Sequence, residues 1–296
     1  YSFTIDYSKM NPGSTLIGDS TYIQCLIAAE DAAGYFNSYP NGATPGTPLV
    51  NITAAPNSGL TMYQLRNPIQ GTYYIAGGGT PLFNKFSDFS NYYSTGIITG
   101  DVTLIVGGDT YNDQLSIQNA NNINPNQYKV TVRPDGNTLR TMQNFDNTST
   151  YYNISMYYSR NFTIDGRDPN TGTGKYLRFI NNAGDPSGTN SNVAFLTNAH
   201  KSVIRNCIFE SNNSASGIVH FQNFTSAIGC DSNTISNCDF RPSTGAYPGR
   251  YGSGVYFENT FSGDSSSSGT IIDSCDFVDF YNFCINIGTA KGVENI

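Results

Sequence analysis

The sequence predicts an all-β chain wound as a parallel β-helix (solenoid), entered through a small helix-containing N-terminal cap. Three observations predict it. One phrase recurs as "SVIRNCIF" (202–209), "NTISNCDF" (233–240) and "TIIDSCDF" (270–277), each with a cysteine three residues after an isoleucine and two before a phenylalanine. From residue 100 onward, short runs of alternating apolar and polar residues are separated by clusters of Asn, Asp, Gly and Ser, which is the pattern of short strands. No helix-length stretch lies between them, which removes the doubly wound and barrel α/β folds.

Residues 1–70 are expected to form the cap or a preceding module. Within them "STYIQCLIAAEDAAGYF" places Ile23, Leu26, Ile27, Ala29 and Ala33 near a 3.6 period behind Ser20, and predicts a helix. "YPNGATPGTP" and "AAPNSG" read as loops. Residues 71–99 form a lead-in, where "NKFSDFSNYYSTG" predicts a short helix with Phe86, Phe89, Tyr92 and Tyr93 on one side and Gly96 as its stop.

Residues 100–296 are the β-helix. Strand starts at Val193, Ile218, Val255 and Ile285 lie 25, 37 and 30 residues apart, with one cysteine phrase between each pair. A unit of that size with variable insertions is one coil of a solenoid. Coils stack about 4.8 Å apart, so equivalent side chains form files. Ile204, Ile235 and Ile272 are expected in one interior file, Cys207, Cys238 and Cys275 in a second, Phe209, Phe240 and Phe277 in a third. Asn206 and Asn237, with Ser274 in the third phrase, fall at the bend between strands, where a stacked amide can satisfy open backbone groups.

Composition narrows the function. Only 12% of the 296 residues are charged, against 30 Gly, 21 Tyr and 18 Phe, as in extracellular β-rich proteins wetted by hydroxyls and amides. A net charge of −7 with 15 Lys and Arg argues against a polyanion partner, nucleic acid above all. No apolar run is long enough to span a membrane. The chain opens on "YSFTIDYSKM" without a leader, which predicts that any signal peptide has been removed. It stops at Ile296 inside what reads as another repeat, which predicts that the natural polypeptide continues.

Two stretches carry a family resemblance. "GDVTLIVGGDTYNDQLSI" (100–117) resembles the opening coil of right-handed parallel β-helix proteins of the pectin-lyase-like superfamily. "GTYYIAGGGTPLFNKFSDFSNYYSTGIITG" (71–100) resembles the segment leading into that coil in large secreted proteins of the Bacteroidota, many routed by type IX secretion. "NFTIDG" (161–166) and the three cysteine phrases look like ordinary coils of the same superfamily. The resemblance implies a right-handed fold and a secreted or cell-surface location. It leaves activity open, because the superfamily hosts lyases, hydrolases, esterases, adhesins and structural modules.

Signs of chemistry are sparse. Asp165, Arg167 and Asp168 in "IDGRDPN" bring two carboxylates and a guanidinium together, the ingredients of a lyase site. A strand followed by Asp-Gly is also a plain turn, in which Arg167 pairs with Asp168. Asp239 and Asp276 are equivalent acids in successive phrases, which suits the facing carboxylates of a glycoside hydrolase or a solvated face. The Asn-Thr-Asp, Asp-Asp and Gly-His-Gly signatures of polygalacturonase-like β-helices are absent.

His200 and His220 are the only histidines, and no spacing links either to a nucleophile. Of the six cysteines, Cys230 and Cys238 are eight apart and the others more widely spread, unlike zinc ligands. The cysteine file pairs Cys207 with Cys238, or Cys238 with Cys275, or packs three buried thiols; parallel alignment favours the thiols. Tyr pairs at 73–74, 92–93, 151–152 and 157–158 are read as at least half core, and the Asn-x-Ser/Thr sequons at Asn51, Asn147, Asn153, Asn161, Asn212 and Asn223 as composition.

The function expected is a non-enzymatic stalk or adhesin-like segment of a larger exported polypeptide, with no cofactor and no metal. Its partners would be the secretion machinery, the rest of that polypeptide, and glycans or other surface proteins. The alternative is a carbohydrate-active β-helix, either lyase or hydrolase, or a glycan-binding module.

Overall fold

The structure is a computed structural model. It describes residues 68–76, 83–95, 97–119, 127–144, 152–182, 191–211, 217–223, 229–243, 252–259, 267–280, 283–288 and 293–294, together with strand backbone at 22–25, 27–30, 36–39 and 61–64. The chain divides into two compact units, Tyr1–Asn67 and Pro68–Ile296.

In the first unit the expected helix is replaced by strands. Tyr22–Cys25 pairs antiparallel with Thr61–Gln64, and Ile27–Glu30 pairs antiparallel with Phe36–Tyr39. The apolar residues that suggest a helical period also alternate, at Ile23, Cys25, Ile27 and Ala29. A short apolar run fits either period, and pairing with a distant strand decides it. The two loops expected in this unit lie outside the described residues.

The second unit is a right-handed parallel β-helix of three sheets. The first sheet has seven strands: Ile69–Ile75, Ile98–Val106, Val130–Pro134, Phe162–Asp165, Val203–Arg205, Thr234–Ser236 and Ile271–Asp273. The second has six: Thr110–Asn112, Arg140–Asn144, Leu177–Asn181, Cys207–Ser211, Asp239–Pro242 and Asp276–Phe277. The third also has six: Leu115–Gln118, Tyr152–Tyr157, Ser191–Leu196, Val219–Asn223, Ser253–Asn259 and Phe283–Ile287. One strand from each sheet in succession makes a coil, and we number the coils one to six from Ile98. Ile69–Ile75 already pairs with Ile98–Val106, so parallel pairing starts before residue 100.

The helix Phe86–Thr95 closes the N-terminal end of this stack. Phe86, Phe89, Tyr92 and Tyr93 are all buried and join the solenoid core. Phe86 meets Tyr111 edge-on at 5.0 Å, and Phe89 meets Phe83 at 5.4 Å, geometries favoured by ring quadrupoles. Asp88 accepts the backbone N–H groups of Asn84 and Lys85 at 3.0 and 3.2 Å, satisfying donors that a helix start leaves open. Gly96 lies outside the described residues.

Register sets the files. Ile164, Ile204, Ile235 and Ile272 align in the first sheet. In the second sheet Phe179, Phe209, Phe240 and Phe277 align and stack at 5.2, 5.4 and 4.9 Å. A second aromatic file, Phe195, Phe221 and Phe257, stacks in the third sheet at 4.4 and 4.5 Å. Coil six has a neighbouring coil on one side only among the described residues, so its Ile272, Cys275 and Phe277 are partly buried, whereas their equivalents in coils four and five are fully buried.

The third-sheet register runs Val193, Val219, Val255 and Ile285, which puts Val219 where Ile218 was expected. The slip of one residue has a local cause. Gly217 sits at φ 86°, and the Ile218 carbonyl accepts N–H bonds from both Asn192 and Val193, at 2.8 and 3.1 Å.

Candidate functional site

At the bend after the first sheet, Asn206, Asn237 and Ser274 adopt φ of 56°, 49° and 51°. Asparagine tolerates this left-handed region better than most residues with a Cβ. The Asn237 amide donates to Asn206 Oδ1 at 2.6 Å, and the Asn206 amide donates to Asp165 Oδ1 at 3.2 Å. The asparagine file therefore ends on a carboxylate. Gly166 holds the equivalent bend in coil three because a Cβ there would lie 2.0 Å from the Asn206 carbonyl oxygen.

Asp165 is a hub. Arg167 reaches its Oδ2 at 2.7 Å and Arg205, one coil on, at 2.8 Å. Burial pushes the Asp165 carboxyl up, but the bonds and charges of Arg167 and Arg205 outweigh burial and hold it below the ordinary carboxylate range. Arg167 thus pairs with Asp165, not with Asp168 as the turn reading had it.

Asp168 closes the following loop. It accepts from Asn170 N–H at 2.9 Å and from the Thr171 hydroxyl at 3.1 Å, and its own N–H donates to the Thr173 carbonyl at 3.0 Å. The two carboxylates named as catalytic candidates are each engaged by structural partners.

Asp239 and Asp276 are in register on the outside of the second sheet. Asp239 pairs with Lys175, and its side chain is 23% exposed, so the expectation of a solvated acid is corrected there; Asp276 is exposed. The loop carrying Lys175 was not visible as a partner because 64 residues separate the pair. Glu210 and Arg241, also in register, bond at 2.9 Å.

Cys207, Cys230, Cys238, Cys275 and Cys284 are free thiols. Cys238 donates to the Ser236 carbonyl at 3.3 Å, and Cys207 to the Arg205 carbonyl at 3.1 Å. Burial pushes the Cys230 thiol up to about 12 and the Cys238 thiol well above its ordinary value; a bond from Cys238, then burial, raises Cys275. Cys230, Cys238 and Cys275 thus fill space and are poor nucleophiles.

One constellation escaped the sequence reading. On the third sheet His220, wholly buried, has Nε2 at 2.7 Å from Glu258 Oε2, and the Gln222 amide donates to the same oxygen at 3.0 Å. The bond with His220 lowers the Glu258 carboxyl, against the opposing effect of burial. His220 also stacks on Tyr256 at 5.4 Å. Among the described residues His220 Nδ1 and Gln222 Oε1 are buried without partners. "VHFQN" (219–223) aligned on "VYFEN" (255–259) was the signal that could have found the pair.

Tyr92 and Tyr93 are both buried, and Tyr157 and Tyr158 are half-buried against each other at 4.5 Å. Among the sequons, Asn153 is fully buried, with its amide on the Ile180 carbonyl and Asn192 Oδ1, both at 2.9 Å. Among the described residues no three His, Cys, Asp or Glu side chains converge on a metal position, and no helix is long and apolar enough to cross a membrane. No protein-family model matches the chain, and neither does any curated protein or solved structure.

Proposed function

We propose that the chain is a non-enzymatic β-helix scaffold, a stalk or adhesin-like segment of a secreted or cell-surface polypeptide, of the kind Bacteroidota export by type IX secretion. One observation carries this reading: Asp165, Arg167 and Asp168, the charged groups the sequence offers for lyase chemistry, are spent on holding coils and loops together. Asp165 is shared by Arg167 and Arg205, and Asp168 closes its own loop. Cross-coil pairs of this sort rigidify a solenoid, whose stability is a sum of repeat and neighbour terms.

The test is a screen against a panel of neutral and acidic polysaccharides. No new unsaturated or reducing ends are expected with any of them. Ends that appear, and vanish on Asp165→Ala or Asp168→Ala, would sink the scaffold reading. A second reading, a carbohydrate-active β-helix, draws support from the His220–Glu258 pair, in which a buried imidazole positions a carboxylate whose side chain is 28% exposed. Product that vanishes on His220→Ala and Glu258→Gln would select that reading.

A further inference from the structure

Three successive strands of the first sheet carry a basic residue near each end. Lys129 and Arg133 lie at the two ends of the strand of coil two, Lys201 and Arg205 at those of coil four, and in coil three Arg160 precedes the strand while Arg167 follows the Gly166 bend. These are six of the chain's 15 Lys and Arg. Val132, Ile164 and Ile204 point into the core, so Thr131, Thr163 and Val203 alternate with them in register on the other side of the sheet, where Thr131 and Val203 are half-buried and Thr163 is buried. Lys129, Arg160 and Lys201 are exposed, while the Arg167 and Arg205 side chains are 35% and 38% exposed.

The result is two basic rails with a low floor between them. In coils two and four the rails lie about 13 Å apart along the strands, and the basic stretch extends about 10 Å along the solenoid axis from coil two to coil four. The carboxylates beside these residues are already engaged, Asp165 by Arg167 and Arg205, and Asp135 by Arg140. Among the described residues the Arg133 side chain, beside Asp165 in coil two, has no hydrogen-bond or ion-pair partner, and its Nε is buried. Asp101 in coil one and Asp231 in coil five mark the ends of the basic stretch.

We propose that this face binds a linear anionic polysaccharide bearing sulfate or phosphate esters, lying along the solenoid axis between the rails. Guanidinium groups match such oxyanions in a bidentate way. The file of Thr131, Thr163 and Val203 carries no aromatic ring on which a base would stack, which sets single-stranded nucleic acid second. The proposal goes beyond the scaffold reading and does not depend on it, because its readout is binding and not cleavage.

The experiment measures binding of dextran sulfate, neutral dextran and oligo(dT) by titration calorimetry at several salt concentrations. Dextran sulfate is expected to bind, more weakly as salt rises, and neutral dextran not to bind. Arg133→Gln with Arg205→Gln, and separately Lys129→Gln with Lys201→Gln, should each weaken binding by about tenfold, since several contacts share the load. Lys85→Gln with Arg178→Gln, both off this face, should change it less than about twofold. The lysine pair lies on exposed side chains, so an unchanged melting temperature separates lost binding from lost folding. Failure of dextran sulfate to bind at low salt would overturn the proposal, as would rail variants that bind normally. Oligo(dT) bound as tightly as dextran sulfate, with the same loss in the rail variants, would overturn it in favour of nucleic acid.

Discussion

Cys238 sits between Cys207 and Cys275 in the register of a parallel ladder, one coil from each. Pairing distance alone permits a bridge, but each thiol instead bonds to a carbonyl two residues back in its own coil, which directs the sulfurs alike. Burial suppresses the thiolate, the form that attacks oxidants and alkylating agents. The expected outcome of iodoacetamide treatment, mapped by peptide mass, is rapid labelling of the exposed Cys284 and none of Cys207, Cys230 or Cys238 until denaturant is added. Fast native labelling of Cys238 would contradict the packing described. Asn237 shows the same economy of roles: it takes the left-handed bend and donates a hydrogen bond to the Asn206 amide oxygen in the file.

Strands of two to nine residues cannot hold a fold by local hydrogen bonds, so the files that run across them supply the cohesion. Phe195, Phe221 and Phe257 stack with interplanar angles of 3° and 11°, all buried. Deleting the middle ring removes contacts to the coil before and the coil after. Phe221→Ala is therefore expected to cost about 3–5 kcal/mol in urea unfolding, and Phe221→Leu distinctly less. A loss under about 1 kcal/mol for the alanine variant would mean that the site collapses around the void. The recurring cysteine phrase announced the second-sheet file. The third-sheet file was equally present as Val-x-Phe at 193–195, 219–221 and 255–257, but unlike neighbours disguised it.

The assembled solenoid also sets how the chain responds to pH. His200 is buried, its Nε2 has no partner, and its Nδ1 accepts the Asp231 N–H at 3.0 Å. Burial pushes its pKa down, with the Asp231 carboxylate opposing and Arg160 and Lys201 reinforcing. The unfolded chain takes up a proton at His200 near pH 6.5, the folded chain only at lower pH. Stability from this group is thus complete above about pH 6.5 and declines as pH falls below it. His200→Asn keeps an acceptor for the Asp231 N–H but does not titrate. Melting temperatures compared from pH 7.5 to 5 should show the wild type losing ground to this variant; parallel curves would rule the mechanism out.

The repeat phrase was enough to read a solenoid, its interior isoleucine, cysteine and phenylalanine files, and the turning asparagines, because pairing at one coil's pitch converts a repeat into a column. The capping helix was legible too, since its aromatic residues fall on one side at helical spacing. Tertiary structure decided what lay between repeats. Coil lengths differ, so the register that sets His220 and Gln222 against Glu258, Lys175 against Asp239 and Arg205 against Asp165 emerges only when the ladders close. The strands at Tyr22–Cys25 and Ile27–Glu30 required their distant partners to override a helical reading. Charge illustrates the same limit. Averaged over the chain, −7 argues against a polyanion partner, yet folding gathers Lys129, Arg133, Arg160, Arg167, Lys201 and Arg205 on one face, and the field a ligand meets is local because water and salt screen the rest.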